Sequence, residues 1–113
     1  MNFEFWDYLQ RLVDSSQIML DRPKGLTHPR YPQLLYPVNY GYLSDTTAID
    51  AEGVDIWMGS LGKKMLVGVL CTVDLLKRDT ELKILCDCTD DEIDAILNFV
   101  NGDQMQAIVI KRD

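Results

Sequence analysis

A chain of 113 residues with a formal net charge of −7 fits one domain, residues 1–113, and offers no basic footprint to a nucleic-acid backbone or an anionic membrane. Its 47% hydrophobic and 26% charged residues are those of a folded globular chain, and no apolar run approaches the ~20 residues of a membrane span. A small anionic partner remains open, provided that bound cations bridge it to the protein.

Residues 3–13 place Phe5, Trp6, Leu9, Leu12 and Val13 at helical spacing, which predicts an amphipathic helix covering the body of the domain or a second subunit. The segment lacks a basic n-region, so no signal peptide is expected and a cytoplasmic location is the default. Residues 18–20 read as a first strand, ended by the turn residues of D-R-P-K-G at 21–25. Pro29, Pro32 and Pro37 exclude a helix over 28–39 and make it a poor central strand. The expectation here is a tethered loop anchored by Tyr31, Tyr36, Tyr40 and Tyr42, with core packing for Tyr31 and Tyr42.

Strands are expected at 54–58, 65–73 and 81–85, separated by G-S-L-G-K-K and by L-L-K-R-D-T. Thr89 with Glu92 three residues on forms a capping box, and Ile93, Ile96, Leu97 and Val100 supply the apolar stripe of a helix that stops at 101–103. Residues 105–110 close the chain as a strand. The predicted fold is mainly β with two flanking helices, a strongly curved mixed or antiparallel sheet or a small barrel.

Cys71, Cys86 and Cys88 lack zinc-site spacing and read as free thiols, Cys71 in the core. His28, the sole histidine, is expected to be exposed in its Pro-rich loop. The acids are more informative. Asp50, Glu52 and Asp55 precede one strand, Asp74 follows the long one, and Asp79 and Glu81 precede the next. Clustered carboxylates repel unless cations intervene, and hard divalent ions take such oxygen donors. Aspartate is also a common turn residue, so spacing alone favours solvated turns over a metal site. An EF-hand is not supported, since D50-A-E-G-V-D lacks its ligand periodicity and terminal Glu. Lys24, Arg30 and Lys83 flank this acidic stretch and suit phosphate oxygens.

The order Y36-P-V-N-Y40-G-Y, then Asp50, Glu52 and Asp55, then Asp74 after V-G-V-L-C-T-V, then Glu81-x-Lys83, resembles the soluble, magnesium-dependent inorganic pyrophosphatases. Tyr40 and Asp50 keep the ten-residue family separation, and D21-R-P-K24-G…R30-Y resembles an upstream family segment. The resemblance implies a pyrophosphatase-like core in a shortened form, magnesium as cofactor, pyrophosphate or a similar small phosphate as substrate, and a homo-oligomer. It implies metal ligands at Asp50, Glu52, Asp55, Asp74 and either Asp79 or Glu81. Glu52 and Asp55 would be catalytic, and Lys24, Arg30, Tyr40 and Lys83 would bind substrate.

The chain also departs from the family pattern. A hairpin carrying a phosphate-binding Arg is missing between Arg30 and Tyr36, as is a C-terminal Tyr-Lys pair. Glu52 stands where the family has an Asp, and a displacement of about 1 Å can cost ~100-fold in rate. Two alternatives follow: a non-catalytic metal- or phosphate-binding or assembly module, and a hydrolase of another small phosphate compound.

Overall fold

The structure, a computed structural model, describes residues 3–48 and 52–112. The elements run α1 (Phe3–Asp14), β1 (Ile18–Arg22), β2 (Asn39–Leu43), β3 (Asp55–Met58), β4 (Leu66–Asp74), β5 (Asp79–Cys86), α2 (Asp90–Val100) and β6 (Met105–Lys111). All six strands join one mixed sheet in the order β1-β2-β3-β5-β4-β6, antiparallel except for the β3–β5 pair. The sheet is open, with β1 and β6 as its edges. The barrel alternative is thereby corrected: closure would need those two strands to pair.

Side chains alternate across a strand, so the central strands feed two cores. Ile56, Val69 and Ile84 point to one face, where Trp6 and Val13 of α1 cover them. Trp57, Leu70 and Leu85 point to the other, where Ile93 and Ile96 of α2 and Tyr36 and Val38 of the 23–38 loop cover them. Trp6 and Val13 of α1 are core residues of their own chain, whereas Phe5 and Leu12 of the same helix stay exposed. Gln10 fixes the seat of this helix: its amide donates to the Lys64 carbonyl and accepts from Leu66 N–H.

The capping box forms as the sequence predicts. Thr89 Oγ1 accepts from Glu92 N–H at 3.1 Å, and Glu92 Oε1 accepts from Thr89 N–H at 2.9 Å. The same Oε1 accepts from Ser60 N–H and Oγ, which ties α2 to the β3–β4 connection. That connection is held from below by Asp87, whose buried carboxylate accepts from Lys64 and Met65 N–H at 2.8 and 2.9 Å. Gly59 lies so close to this support that a Cβ would strike the Asp87 carbonyl oxygen and the Cys88 Cα.

Two strand boundaries differ from expectation. Residues 39–43 form a strand, although the prolines before them favour a loop. The trans-strand neighbours on both sides supply the pairing, and Gly41 lets β1 approach, since a Cβ there would meet the Met19 carbonyl oxygen. β5 begins at Asp79, so Asp79 and Glu81 lie within the strand and not before it. The tethered loop expected over 28–39 forms up to residue 38 and is continuous with the turn before it, so that 23–38 is one segment folded back through hydrogen bonds of Gly25 and Leu26 with Tyr36 and of His28 with Leu34.

Cys86 and Cys88 are buried free thiols that burial pushes up to about 12, while Cys71 is only half-buried. Tyr31 and Tyr42 are exposed rather than in the core: Tyr31 meets the His28 ring from the surface loop, and Tyr42 lies on the strand next to the β1 edge of the sheet. His28 is half-buried instead of exposed, since its ring stacks on Tyr36 at 5.9 Å and also contacts Phe99. Among the described residues no helix is long and apolar enough to cross a membrane.

Candidate functional site

Strand register decides which of the polar residues share a face. Tyr40 lies opposite Arg22 on one side and Trp57 on the other, and Trp57 lies beside Leu85. All of these face the α2 side. Counting back by two, Asp55 on β3 and then Lys83 and Glu81 on β5 point the same way. Asp79 and its cross-strand partner Asp74 continue that row toward the hairpin turn. Tyr40, Asp55, Lys83, Glu81, Asp79 and Asp74 therefore lie on one surface of the sheet.

Lys83 is the centre of this surface. Its Nζ donates to Tyr40 Oη at 2.6 Å, lies 2.8 Å from Asp55 Oδ2 and 3.1 Å from Glu81 Oε2. Only 12% of the lysine side chain is exposed, against 28% of Asp55 and 17% of Glu81. Burial disfavours the ammonium charge, but Tyr40 and Asp55 more than offset it and hold Lys83 above the ordinary lysine range. Burial raises the Tyr40 phenol, with Lys83 opposing, so it stays a neutral hydroxyl that can donate. The product is a partly buried, fully protonated cation clasped by two carboxylates and a phenol.

An aromatic shelf borders it. Trp57 packs on Tyr40 at 4.6 Å, Phe99 of α2 on Tyr36 at 4.7 Å, and His28 caps the far end. Burial, then the charges of Arg22 and Arg30, lower the His28 pKa. The imidazole Nδ1 accepts from the N–H groups of Arg30 and Tyr31, which fixes the proton of the neutral ring on Nε2. Arg22 is the site-facing residue that sequence reasoning missed. Its position opposite Tyr40, at the end of the Ile18–Arg22 strand, is the signal that could have found it.

The remaining expected residues are distributed as follows. Asp74 Oδ1 accepts from Leu76 and Lys77 N–H, so this carboxylate also caps the β4–β5 turn. Lys24 and Arg30 are exposed on the 23–38 loop, and among the described residues neither side chain bonds to the Lys83 cluster. Glu52 is exposed in the segment leading to β3, and Asp50 lies outside the described residues. Lys111 pairs with Asp90 and Arg112 bonds to Gln10, both structural ties at the end of β6.

The donor set suits a hard divalent ion in kind, since Asp55, Glu81, Asp79 and Asp74 are all carboxylates on one surface. Two of them already share a cation, which shows that the surface accommodates positive charge between them. Among the described residues no three acids converge on one point.

Solved structures share this fold. An inorganic pyrophosphatase from Coxiella burnetii matches with a TM-score of 0.54 at 15% identity, over 83% of this chain and 82% of that chain. A protein described as an inorganic phosphatase from Anaplasma phagocytophilum matches with a TM-score of 0.54 at 16% identity, over 85% of this chain and 81% of that chain. The chain thus has a pyrophosphatase-like fold. No protein-family model and no curated protein matches its sequence.

Proposed function

We propose that this protein hydrolyses inorganic pyrophosphate to two orthophosphates in a magnesium-dependent reaction. The observation that carries the reading is the Lys83 ammonium held between Asp55, Glu81 and the Tyr40 hydroxyl, on a fold shared with pyrophosphatases. Asp50, Glu52, Asp55, Asp74 and either Glu81 or Asp79 would hold the metal. Glu81 is the favoured member of that last pair, because it touches Lys83 while Asp79 lies at the hairpin mouth opposite Asp74. Bound magnesium supplies charge neutralisation and a water acidic enough to attack at neutral pH.

The chain's own residues do the rest. Glu52 accepts the proton of the attacking water as its oxygen bonds to one phosphorus and the bridging P–O bond breaks. Lys83 and the Tyr40 hydroxyl donate to phosphoryl oxygens, where charge develops. Lys24 and Arg30, with Arg22 beside them, provide further positive charge from the loop side. Asp55 holds Lys83 in place before substrate arrives and releases it to the phosphate afterwards.

Phosphate release from pyrophosphate at millimolar magnesium tests this. Wild type should turn over, and Asp55→Asn should lose ~100-fold or more, the usual weight of a positioned acid–base or ligand group. No release above a protein-free control sinks the enzyme reading. Release from phosphate esters or nucleotides, but not from pyrophosphate, replaces the substrate. The engagement of Asp74 by turn amides favours the second reading, a non-catalytic metal- or phosphate-binding or assembly module. That reading predicts magnesium binding without turnover.

A further inference from the structure

The loop that carries Lys24 and Arg30 is closed in two different ways. Its base is held by backbone: Gly25 N–H donates to the Tyr36 carbonyl, Tyr36 N–H to the Leu26 carbonyl and His28 N–H to the Leu34 carbonyl. Its tip, H28-P-R-Y-P32, is held by a side chain. Pro29 and Pro32 have no N–H, so Arg30 and Tyr31 carry the only backbone donors of residues 29–32. Both donate to one atom, the Nδ1 of His28, at 3.0 and 3.2 Å. The ring itself is set among Tyr31, Tyr36 and Phe99, with centroids 5.2, 5.9 and 5.8 Å away. Tyr36 leads on to Tyr40 at 6.0 Å, and Tyr40 accepts from Lys83. A continuous run of rings thus joins the loop tip to the centre of the site.

We propose that His28 is a positioning residue for Arg30: its neutral ring closes the loop tip against the aromatic shelf, and protonation of that ring releases the tip. This rests on the reading that Arg30 serves a phosphate group at the Lys83 site. The donor inventory of the ring supplies the chemistry. A neutral imidazole with its proton on Nε2 offers an acceptor at Nδ1. Imidazolium has an N–H at both nitrogens and would meet the Arg30 and Tyr31 amides donor to donor. Protonation therefore removes both bonds that hold the tip.

The charges around the ring set the direction. Arg22 acts on it from β1 and Arg30 from its own loop. Tyr31 and Tyr36 are its titratable neighbours on that loop, and α2 contributes the uncharged Phe99. Among the described residues no carboxylate pairs with the ring. A proton on His28 would thus place a third cation beside two arginines. Burial, followed by Arg22 and Arg30, holds the imidazole below its ordinary value of 6.5. With the folded pKa lowered, closure is complete above pH ~6.5 and is lost as pH falls through the folded value. The tip is closed at neutral pH and opens in acid.

Amide exchange of Arg30 and Tyr31, read by NMR and divided by the rate of an unfolded peptide at each pH, tests the release. In wild type their protection should fall ~5-fold or more between pH 8 and pH 5, the weight of one hydrogen bond on each amide. His28→Asn separates the acceptor from the titration. Its Oδ1 takes the place of Nδ1 and can accept the same bonds in an Asx-type turn, but it stays neutral, so protection should hold across the range. His28→Gln carries its oxygen one bond farther out, in the place of Nε2, and should lack the protection at every pH. Inorganic phosphate, titrated into the same samples with magnesium, reads the link to the site. Its dissociation constant should rise ~3-fold or more from pH 8 to pH 5 in wild type relative to His28→Asn, because only closed loops present Arg30. A ring that stays neutral at pH 5 overturns the proposal, and so does wild-type protection that survives while the ring titrates. Parallel loss of protection in His28→Asn, or equal phosphate affinities in the two proteins across the range, overturns it as well. Phosphate release from pyrophosphate plays no part in these readouts, so a failed switch and failed catalysis are told apart.

Discussion

Two sets of carboxylates in this protein look alike in sequence and differ in what satisfies them. Asp87 and Glu92 are held by backbone: Asp87 by Lys64 and Met65 N–H, Glu92 by Thr89 and Ser60 N–H. Asp55 and Glu81 are held by one lysine side chain. Backbone donors are fixed by the fold and leave no room for another partner. A lysine can rotate away, and its place can be taken by a metal ion or a phosphate. Acids of the first kind support structure, and acids of the second kind are available for chemistry. Asp74 stands between the two, with one oxygen bound to turn amides and its position on the same surface as Glu81.

The sharpest way to break this division is at Asp87. Asp87 is 8% exposed and its carboxylate compensates two backbone donors of the β3–β4 connection; Lys64 in that connection and Asp87 itself adopt positive φ, 54° and 57°. Asp87→Ala should lower stability by about 3 kcal/mol, since two charge-assisted bonds to backbone donors are lost. Urea denaturation measures the change. Magnesium should restore none of it. A loss under 1 kcal/mol would place Asp87 outside the structural set.

A smaller effect is expected at Lys83. Lys83→Met leaves Asp55 and Glu81 facing each other, both largely shielded from solvent, and should cost about 2 kcal/mol at neutral pH, below the ~3–5 kcal/mol of breaking a fully buried pair because Asp55 keeps some solvent. Here the two sets separate. Millimolar magnesium should recover part of the lost stability in Lys83→Met, raising its melting temperature by more than it raises that of wild type. Equal shifts in the two proteins would mean that Asp55 and Glu81 do not take up a cation in place of the lysine.

Local signals made much of this legible in the sequence, and non-local ones did not. Helical spacing in α1 and the Thr89–Glu92 box in α2 act within one or two turns, and both helices form where they are expected. β2 was hidden because its prolines lie just upstream and its strand character depends on β1 and β3, which reach it from about 20 residues before and 15 residues after. Whether the sheet closes depends on β1 meeting β6, a relation between the two ends of the chain that no local pattern encodes. The convergence of Tyr40, Asp55, Glu81 and Lys83 followed from the order of motifs in a family resemblance, since composition alone favours turn acids. Asp87 gave no signal at all: it sits between two cysteines, and its partners are more than 20 residues away.

Glu92 offers the finest test, through pH. Burial alone would raise its carboxyl pKa, but bonds from Thr89 and Ser60 outweigh that and hold it below the usual glutamate value. A depressed folded pKa means that the stabilising contribution is complete above the unfolded value of ~4.3 and fades as pH falls through the folded value. Glu92→Gln keeps an acceptor for the cap but removes the charge, so it should cost about 1 kcal/mol at pH 7 and progressively less below pH ~4. Asp55→Asn should show no such convergence with Glu92→Gln in magnesium dependence: only the Asp55 variant should lose its thermal response to the metal. If Glu92→Gln lost that response as well, the backbone-held acids could no longer be set apart from those that Lys83 holds.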